Sequence, residues 1–155
     1  FCLSRGLGDV YKRQTLEDLL RGSDVLSMHV PDMSSTRRMI GAEQLAMLPQ
    51  GAVVVNTARG TSIDIDALEA ALRSGHVAGA GLDVIPVEPP VDPVPGLLAA
   101  YRRREAWLQG RVIITPHSAF HTPEAWADIR RKSAETMRDV LVLGLRSNVI
   151  RPEDD

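Results

Sequence analysis

The stretch Val53-Val54-Val55-Asn56-Thr57-Ala58-Arg59-Gly60 constrains this chain more than any other. A run of β-branched residues suits a strand buried on both faces of a parallel sheet. The run then stops in Asn-Thr-Ala-Arg-Gly. In an open α/β sheet, ligands bind just beyond the carboxyl ends of the strands. An arginine there can hold an anion, and a glycine behind it lets the backbone turn. Taken alone, the same arginine could equally lie on the surface after an ordinary core strand.

The flanking sequence alternates in kind. Thr15 to Leu20 predicts a short capped helix ended by Gly22, and Asp24 to Val30 predicts a strand stopped by Pro31. The polar run 32–38 reads as turns. Ala42 to Leu48 predicts a short helix, ended by Pro49-Gln50-Gly51. The central strand runs from about Ala52 to Asn56. Asp64 to Ser74 predicts the clearest helix, with Ile65, Leu68, Ala71 and Leu72 on one face and Gly75 as its stop. Val77 to Val84 predicts a strand rich in Ala and Gly, where something can approach the backbone closely. Proline excludes regular structure from Pro86 to Pro95. Gly96 to Gln109 predicts a helix, Arg111 to Thr115 a fourth strand, and Pro123 to Leu145 a long helix capped by Thr122. Strands alternating with helices imply a parallel sheet with right-handed crossovers, an α/β fold.

Composition narrows the function classes. A formal net charge of −2 gives no basis for nucleic-acid binding or for an anionic membrane surface. Arg102-Arg103-Arg104 reads as a solvated face. No apolar run approaches a membrane span. One cysteine excludes a disulfide within the chain, and a cytoplasmic protein is expected. No pair of candidate ligands has metal-binding spacing, so no metal is expected.

Residues 1–14, FCLSRGLGDVYKRQ, stand apart: they resemble translated sequencing-adapter tails and are set aside from fold reasoning. Gly6-Leu7-Gly8 within them imitates the start of a dinucleotide loop, but Tyr11 stands where its third glycine belongs. The expected organisation is therefore 15–121 as part of a nucleotide-binding domain, 122–150 as a C-terminal helix, and 151–155 as a tail.

Each predicted strand ends in polar residues: His29-Val30-Pro31, then Thr57-Ala58-Arg59, then Asp83 and Glu88, then His117. Four such endings at equivalent topological positions suggest chemistry at one sheet edge. As isolated residues, Asp83 could cap a turn, Thr36 could be a loop hydroxyl and Glu88 could be exposed. His29, His76 and His121 read as surface or supporting residues.

Asn56–Gly60 (NTARG), Gly79–Pro90 (GAGLDV followed by EPP) and Thr115–Phe120 (TPHSAF) together resemble the D-isomer-specific 2-hydroxyacid dehydrogenases. The resemblance covers about Thr15 to Val149, in the family's order. It implies a partial Rossmann-type parallel sheet and hydride transfer between a nicotinamide cofactor and a D-2-hydroxy acid or 2-keto acid. By that resemblance Arg59 grips the substrate carboxylate, His117 is the general acid/base, and Glu88 holds the imidazole in one tautomer. Asp83 holds the nicotinamide carboxamide, and Val30, Pro31, Thr36, Thr57, Ala58 and Ala119 line the cofactor site with Arg59 and His117. NAD is the implied cofactor, with NADP possible, and a homodimer the implied assembly of the intact enzyme.

The resemblance also implies a substrate domain, a glycine-rich loop and a cofactor-choosing residue upstream, so the chain alone is expected to be inactive. The segment 89–116 is longer than in many family members. It is expected either near the active-site mouth or at the dimer surface. Two other readings remain open at this stage. One is a dinucleotide-sensing, corepressor-like interaction protein. The other is a formate-dehydrogenase-like enzyme, which is disfavoured because its histidine is supported by glutamine rather than by a residue like Glu88.

Overall fold

Four parallel strands stand in the order β1-β2-β3-β4: β1 (Val25–Met28), β2 (Ala52–Asn56), β3 (Val77–Leu82) and β4 (Val112–Ile114). The structure is a computed structural model, and it describes residues 15–146. The adapter-like segment with its Gly6-Leu7-Gly8, and the 151–155 tail, lie outside the described residues. Among the described residues five helices precede, connect or follow the strands: α1 (Leu16–Arg21), α2 (Ala42–Met47), α3 (Ile65–Ser74), α4 (Gly96–Arg102) and α5 (Pro123–Leu141). The chain divides into two compact units, one ending at His117 and one beginning at Ser118.

Right-handed crossovers between strands that are neighbours in sequence put successive helices on one face of the sheet. Burial follows that rule. Leu26, Met28, Val54 and Leu82 on the strands pack into one core with Leu20, Leu45, Leu68, Leu72 and Leu97 on the helices. The expectation that β2 is buried on both faces is corrected: Val53 and Val55 are only half-buried, while Ala52, Val54 and Asn56 are buried.

The best-formed helix is α3, and its ends explain why. Asp64 accepts from the backbone N–H groups of Asp66 and Ala67, at 3.1 and 3.2 Å, and Gly75 closes the helix at φ 77°. Arg38 donates to the Asp64 carboxylate. That hydrogen bond, together with those from the Ala67 and Asp66 amides, holds the Asp64 carboxyl below its usual range. The folded state therefore takes up this proton later than the unfolded chain does as pH falls. The stabilisation is full above the unfolded value of about 4 and is lost on further acidification. Asparagine caps as well as aspartate but carries no charge. Asp64→Asn should thus be less stable than wild type at neutral pH, with the gap closing below about pH 4 in urea unfolding. Asp64→Ala, which loses the cap as well, should cost about 1 kcal/mol more.

The predicted helix over 96–109 is shorter than expected. It ends at Arg102, Arg104 adopts φ 55°, and a separate 3₁₀ turn forms at Ala106–Leu108. The break lets Trp107 fold back on α3. Arg73 lies 4.0 Å over its ring, and its indole N–H donates to Glu105 at 2.6 Å. Leu97, Ala100 and Leu108 are buried, so the long 89–116 segment supplies part of the core. The close approach expected at the small-residue strand occurs at Gly79, where a Cβ would stand 2.7 Å from the Arg111 carbonyl oxygen. In the second unit, α5 starts on the Thr122 cap as expected but ends at Leu141, four residues before the predicted Leu145.

Candidate active site

The carboxyl ends of the four strands carry the residues that the sequence singled out. β2 runs into Thr57-Ala58-Arg59 and then a 3₁₀ turn at Gly60–Ser62. β3 runs into Asp83 and a long loop that carries Glu88, with cis peptides at Glu88-Pro89 and Asp92-Pro93. β4 runs into Thr115-Pro116-His117.

Arg59, Glu88 and His117 line one small cavity of about 160 Å³, together with Asp32, Gly60 and Ile85. The Nδ1 atom of His117 lies 2.5 Å from Oε2 of Glu88. The other Glu88 oxygen accepts from the backbone N–H of Ile85 at 2.8 Å. Both carboxylate oxygens are thereby engaged, and the carboxylate cannot rotate without losing a bond. A proton on Nδ1 is the one that suits this pairing, which selects the tautomer of the ring. His117 itself adopts φ 51°, with its N–H directed at the carbonyls of Asp83 and Thr115. A left-handed backbone at a non-glycine residue costs about 1–2 kcal/mol, and such strain concentrates at functional sites.

A second cavity of about 370 Å³ shares Ile85, Glu88 and His117 with the first and is also lined by Asp83 and Thr115 and by apolar Leu98 and Ile114. Asp83 is 5 % exposed, and Thr115 donates its hydroxyl to Asp83 Oδ1 at 2.5 Å. A carboxylate is retained at such burial only where hydrogen bonds compensate it. A buried carboxylate on a largely apolar cavity wall suits an aromatic ring that carries an amide donor. The residues present therefore fit a nicotinamide. Among the described residues, no group of three or more His, Cys, Asp or Glu side chains could hold a metal ion.

The family model for the D-isomer specific 2-hydroxyacid dehydrogenase NAD binding domain matches residues 7–119. The chain belongs to this family. The match begins inside the segment read above as adapter-like.

D-3-phosphoglycerate dehydrogenase of Haemophilus influenzae is 41 % identical over 123 residues, which are 79 % of this chain and 28 % of that protein. The chain thus spans under a third of that relative's length. A glyoxylate reductase from Paecilomyes thermophila superposes with a TM-score of 0.73 at 37 % identity, over 92 % of this chain and 40 % of that one. A family member from Xanthobacter autotrophicus, solved with NADPH and MES, superposes with a TM-score of 0.68 at 36 % identity, over 89 % of this chain and 52 % of that one. The four-stranded parallel sheet is accordingly the Rossmann-like sheet of an NAD-binding domain.

The other predicted residues of this dehydrogenase domain fall as follows. Val30 is half-buried against the core, Pro31 is exposed, Thr57 is exposed and Ala58 is half-buried. The Thr36 hydroxyl donates to the Pro31 carbonyl at 2.6 Å and accepts from Met33 N–H at 3.0 Å, so it shapes the loop after β1. Ala119 belongs to the second unit. His29 bonds Ser27 on the surface, and His76 ties Gln50 to the Leu45 carbonyl, which fits supporting roles for both. His121, in the second unit, meets Trp126 edge-on.

Four site residues were missed in the sequence. Asn56 and Ser62 are buried beneath the Arg59 loop, Gly60 is packed against Ile85, and Thr115 holds Asp83. Asn56, Gly60 and Thr115 lie inside the motifs, and Ser62 lies two positions beyond the first of them. The signal available was small polar and glycine residues beside the charged ones.

Proposed function

We propose that this domain is the catalytic half of an NAD(P)-dependent D-2-hydroxyacid dehydrogenase that interconverts a 2-keto acid and its D-2-hydroxy acid. The observation that carries the reading is that Arg59, Glu88 and His117 line a single cavity.

In this reading the Arg59 guanidinium grips the substrate carboxylate through its planar fork and polarises the adjacent carbonyl. With Nδ1 committed to Glu88, the Nε2 atom of His117 gives a proton to the carbonyl oxygen in reduction and takes it back in oxidation. Glu88 keeps the ring aimed through the bond to Nδ1. Asp83 accepts from the carboxamide of the nicotinamide and sets which face of the ring meets the substrate. The bound cofactor supplies the hydride. Val30, Pro31, Thr36, Thr57 and Ala58 would complete its site. NAD is the cofactor proposed, with NADP the alternative.

The relatives that match over most of this chain are named as dehydrogenases and reductases, which favours an enzyme over the corepressor-like alternative. Glu88 beside His117 weighs against the formate-dehydrogenase reading. A homodimer in the cytoplasm is part of the same proposal. No helix among the described residues is long and apolar enough to cross a membrane, and light scattering of the full-length protein would give the assembly.

The test is NADH or NADPH oxidation by the full-length protein that carries this chain, offered glyoxylate, hydroxypyruvate or a longer 2-keto acid. Turnover of at least one is expected, and inactivity towards all of them overturns the reading. Arg59→Lys keeps the charge but loses the fork, and should raise the KM for the keto acid about tenfold.

A further inference from the structure

We propose that Asn56 is a positioning residue for Arg59: its buried side chain holds the backbone on which the guanidinium is mounted, and so sets affinity for the 2-keto acid without touching it. The inference rests on the role proposed above for Arg59.

Asn56 ends β2 and is 0 % exposed. Its Nδ2 donates to the Arg59 carbonyl at 2.9 Å, and its Oδ1 accepts from the Ala58 N–H at 3.0 Å. Ser62, 1 % exposed, donates its hydroxyl to the same Arg59 carbonyl at 2.6 Å, and Asn56 Nδ2 reaches Ser62 Oγ at 3.4 Å. The side-chain bonds of Asn56 therefore all go to residues 58–62.

The sheet does not need them. At this position its hydrogen bonding is completed by main chain, with Asp83 N–H donating to the Asn56 carbonyl at 2.9 Å. The loop does need them. Ala58, held at its N–H by Asn56, presents its carbonyl to Nη1 of Arg59 at 2.8 Å. The direction of the guanidinium is thus two hydrogen bonds away from the Asn56 amide.

The residue type follows from the two ends of that contact. One end must donate to a carbonyl and the other must accept from an N–H. An amide does both within one short side chain. Aspartate would bring a second acceptor against the Arg59 carbonyl. Alanine would leave a donor and an acceptor unpaired beneath the loop.

The test uses the full-length protein with hydroxypyruvate and NADH. Asn56→Ala should raise the KM for hydroxypyruvate about tenfold, because a misplacement of well under 1 Å already carries that cost. The KM for NADH should rise less than that for hydroxypyruvate: Asn56 also holds Ala58 of the proposed cofactor site, but the main-chain bond to Asp83 survives the substitution. Ser62→Ala, which removes one bond to the same carbonyl, should move the same parameter less and provides the measurement if Asn56→Ala does not fold. In an Arg59→Ala background, the second substitution should add nothing to the KM for hydroxypyruvate.

Equal rises in both KM values, or full additivity with Arg59→Ala, would show a merely structural residue and overturn the inference. So would an unchanged KM in folded variants of an active enzyme. Wild-type protein that reduces no 2-keto acid overturns the proposed function and this inference together.

Discussion

His117→Asn in the full-length enzyme is expected to lower kcat by about 10²–10⁴-fold, the range that a positioned general acid–base group supplies. Asparagine is the informative replacement because the backbone at 117 sits at φ 51°. Asparagine tolerates the left-handed region better than other non-glycine residues, so loss of activity will not be confounded by loss of the turn. It also keeps a polar group beside Glu88 while removing the titrating ring. Glu88→Gln should cost less than His117→Asn, since an amide can still receive one of the two bonds that the carboxylate accepts. It cannot accept from both His117 and the Ile85 N–H with two equivalent oxygens. Steady-state kinetics with hydroxypyruvate and NADH give both numbers. Retention of more than a tenth of wild-type kcat in His117→Asn would remove this residue from the chemistry.

Gly60→Ala is expected to damage both the fold and the site, through sterics alone. A Cβ at position 60 would lie 2.0 Å from the carbonyl carbon and oxygen of Ile85 and 2.5 Å from the nitrogen of Pro86. These are backbone atoms and cannot swing aside, so the loop after β2 and the loop after β3 must part. Overpacking of this kind costs about 1–3 kcal/mol. Ile85 is also the residue whose N–H holds Glu88. One methyl group therefore shifts Arg59 on one side and the Glu88–His117 pair on the other, and kcat/KM should fall about 10²-fold. Gly22→Ala is the control. Its nearest atoms would stand 3.6 Å away, at φ −100°, and stability should change by about 0.5 kcal/mol or less. Chemical denaturation and the same kinetic assay separate the two effects. A Gly60→Ala enzyme with wild-type stability and kinetics would contradict the packing described at this turn.

Local signals were enough for much of the fold. β2 spans Ala52–Asn56 as read, because a β-branched run bounded by glycine and a polar turn has few other outcomes. α3 starts and stops at its Asp64 and Gly75 caps for the same reason. The readings that needed correction depended on distant partners. The helix expected over 96–109 ends at Arg102, and beyond it Trp107 packs on Arg73, a tertiary contact that competes with local helix propensity. Helical periodicity along the segment cannot register that competition.

The candidate site divides in the same way. Arg59, Asp83, Glu88 and His117 stand out as charged or titratable residues at the ends of apolar strands. Asn56, Gly60, Ser62 and Thr115 act through partners that only folding brings near. Order along the chain by itself determined that four parallel strands would deliver a cation, two carboxylates and an imidazole to one edge, because right-handed crossovers leave little freedom in where strand ends point. The pairing of Glu88 with His117 across 29 positions was implied by family resemblance alone, and its geometry, like the need for Gly60 to lack a side chain, was decided by the tertiary structure. Both depend on how two loops approach within a few ångströms, a distance set by close packing rather than by any residue's own preference.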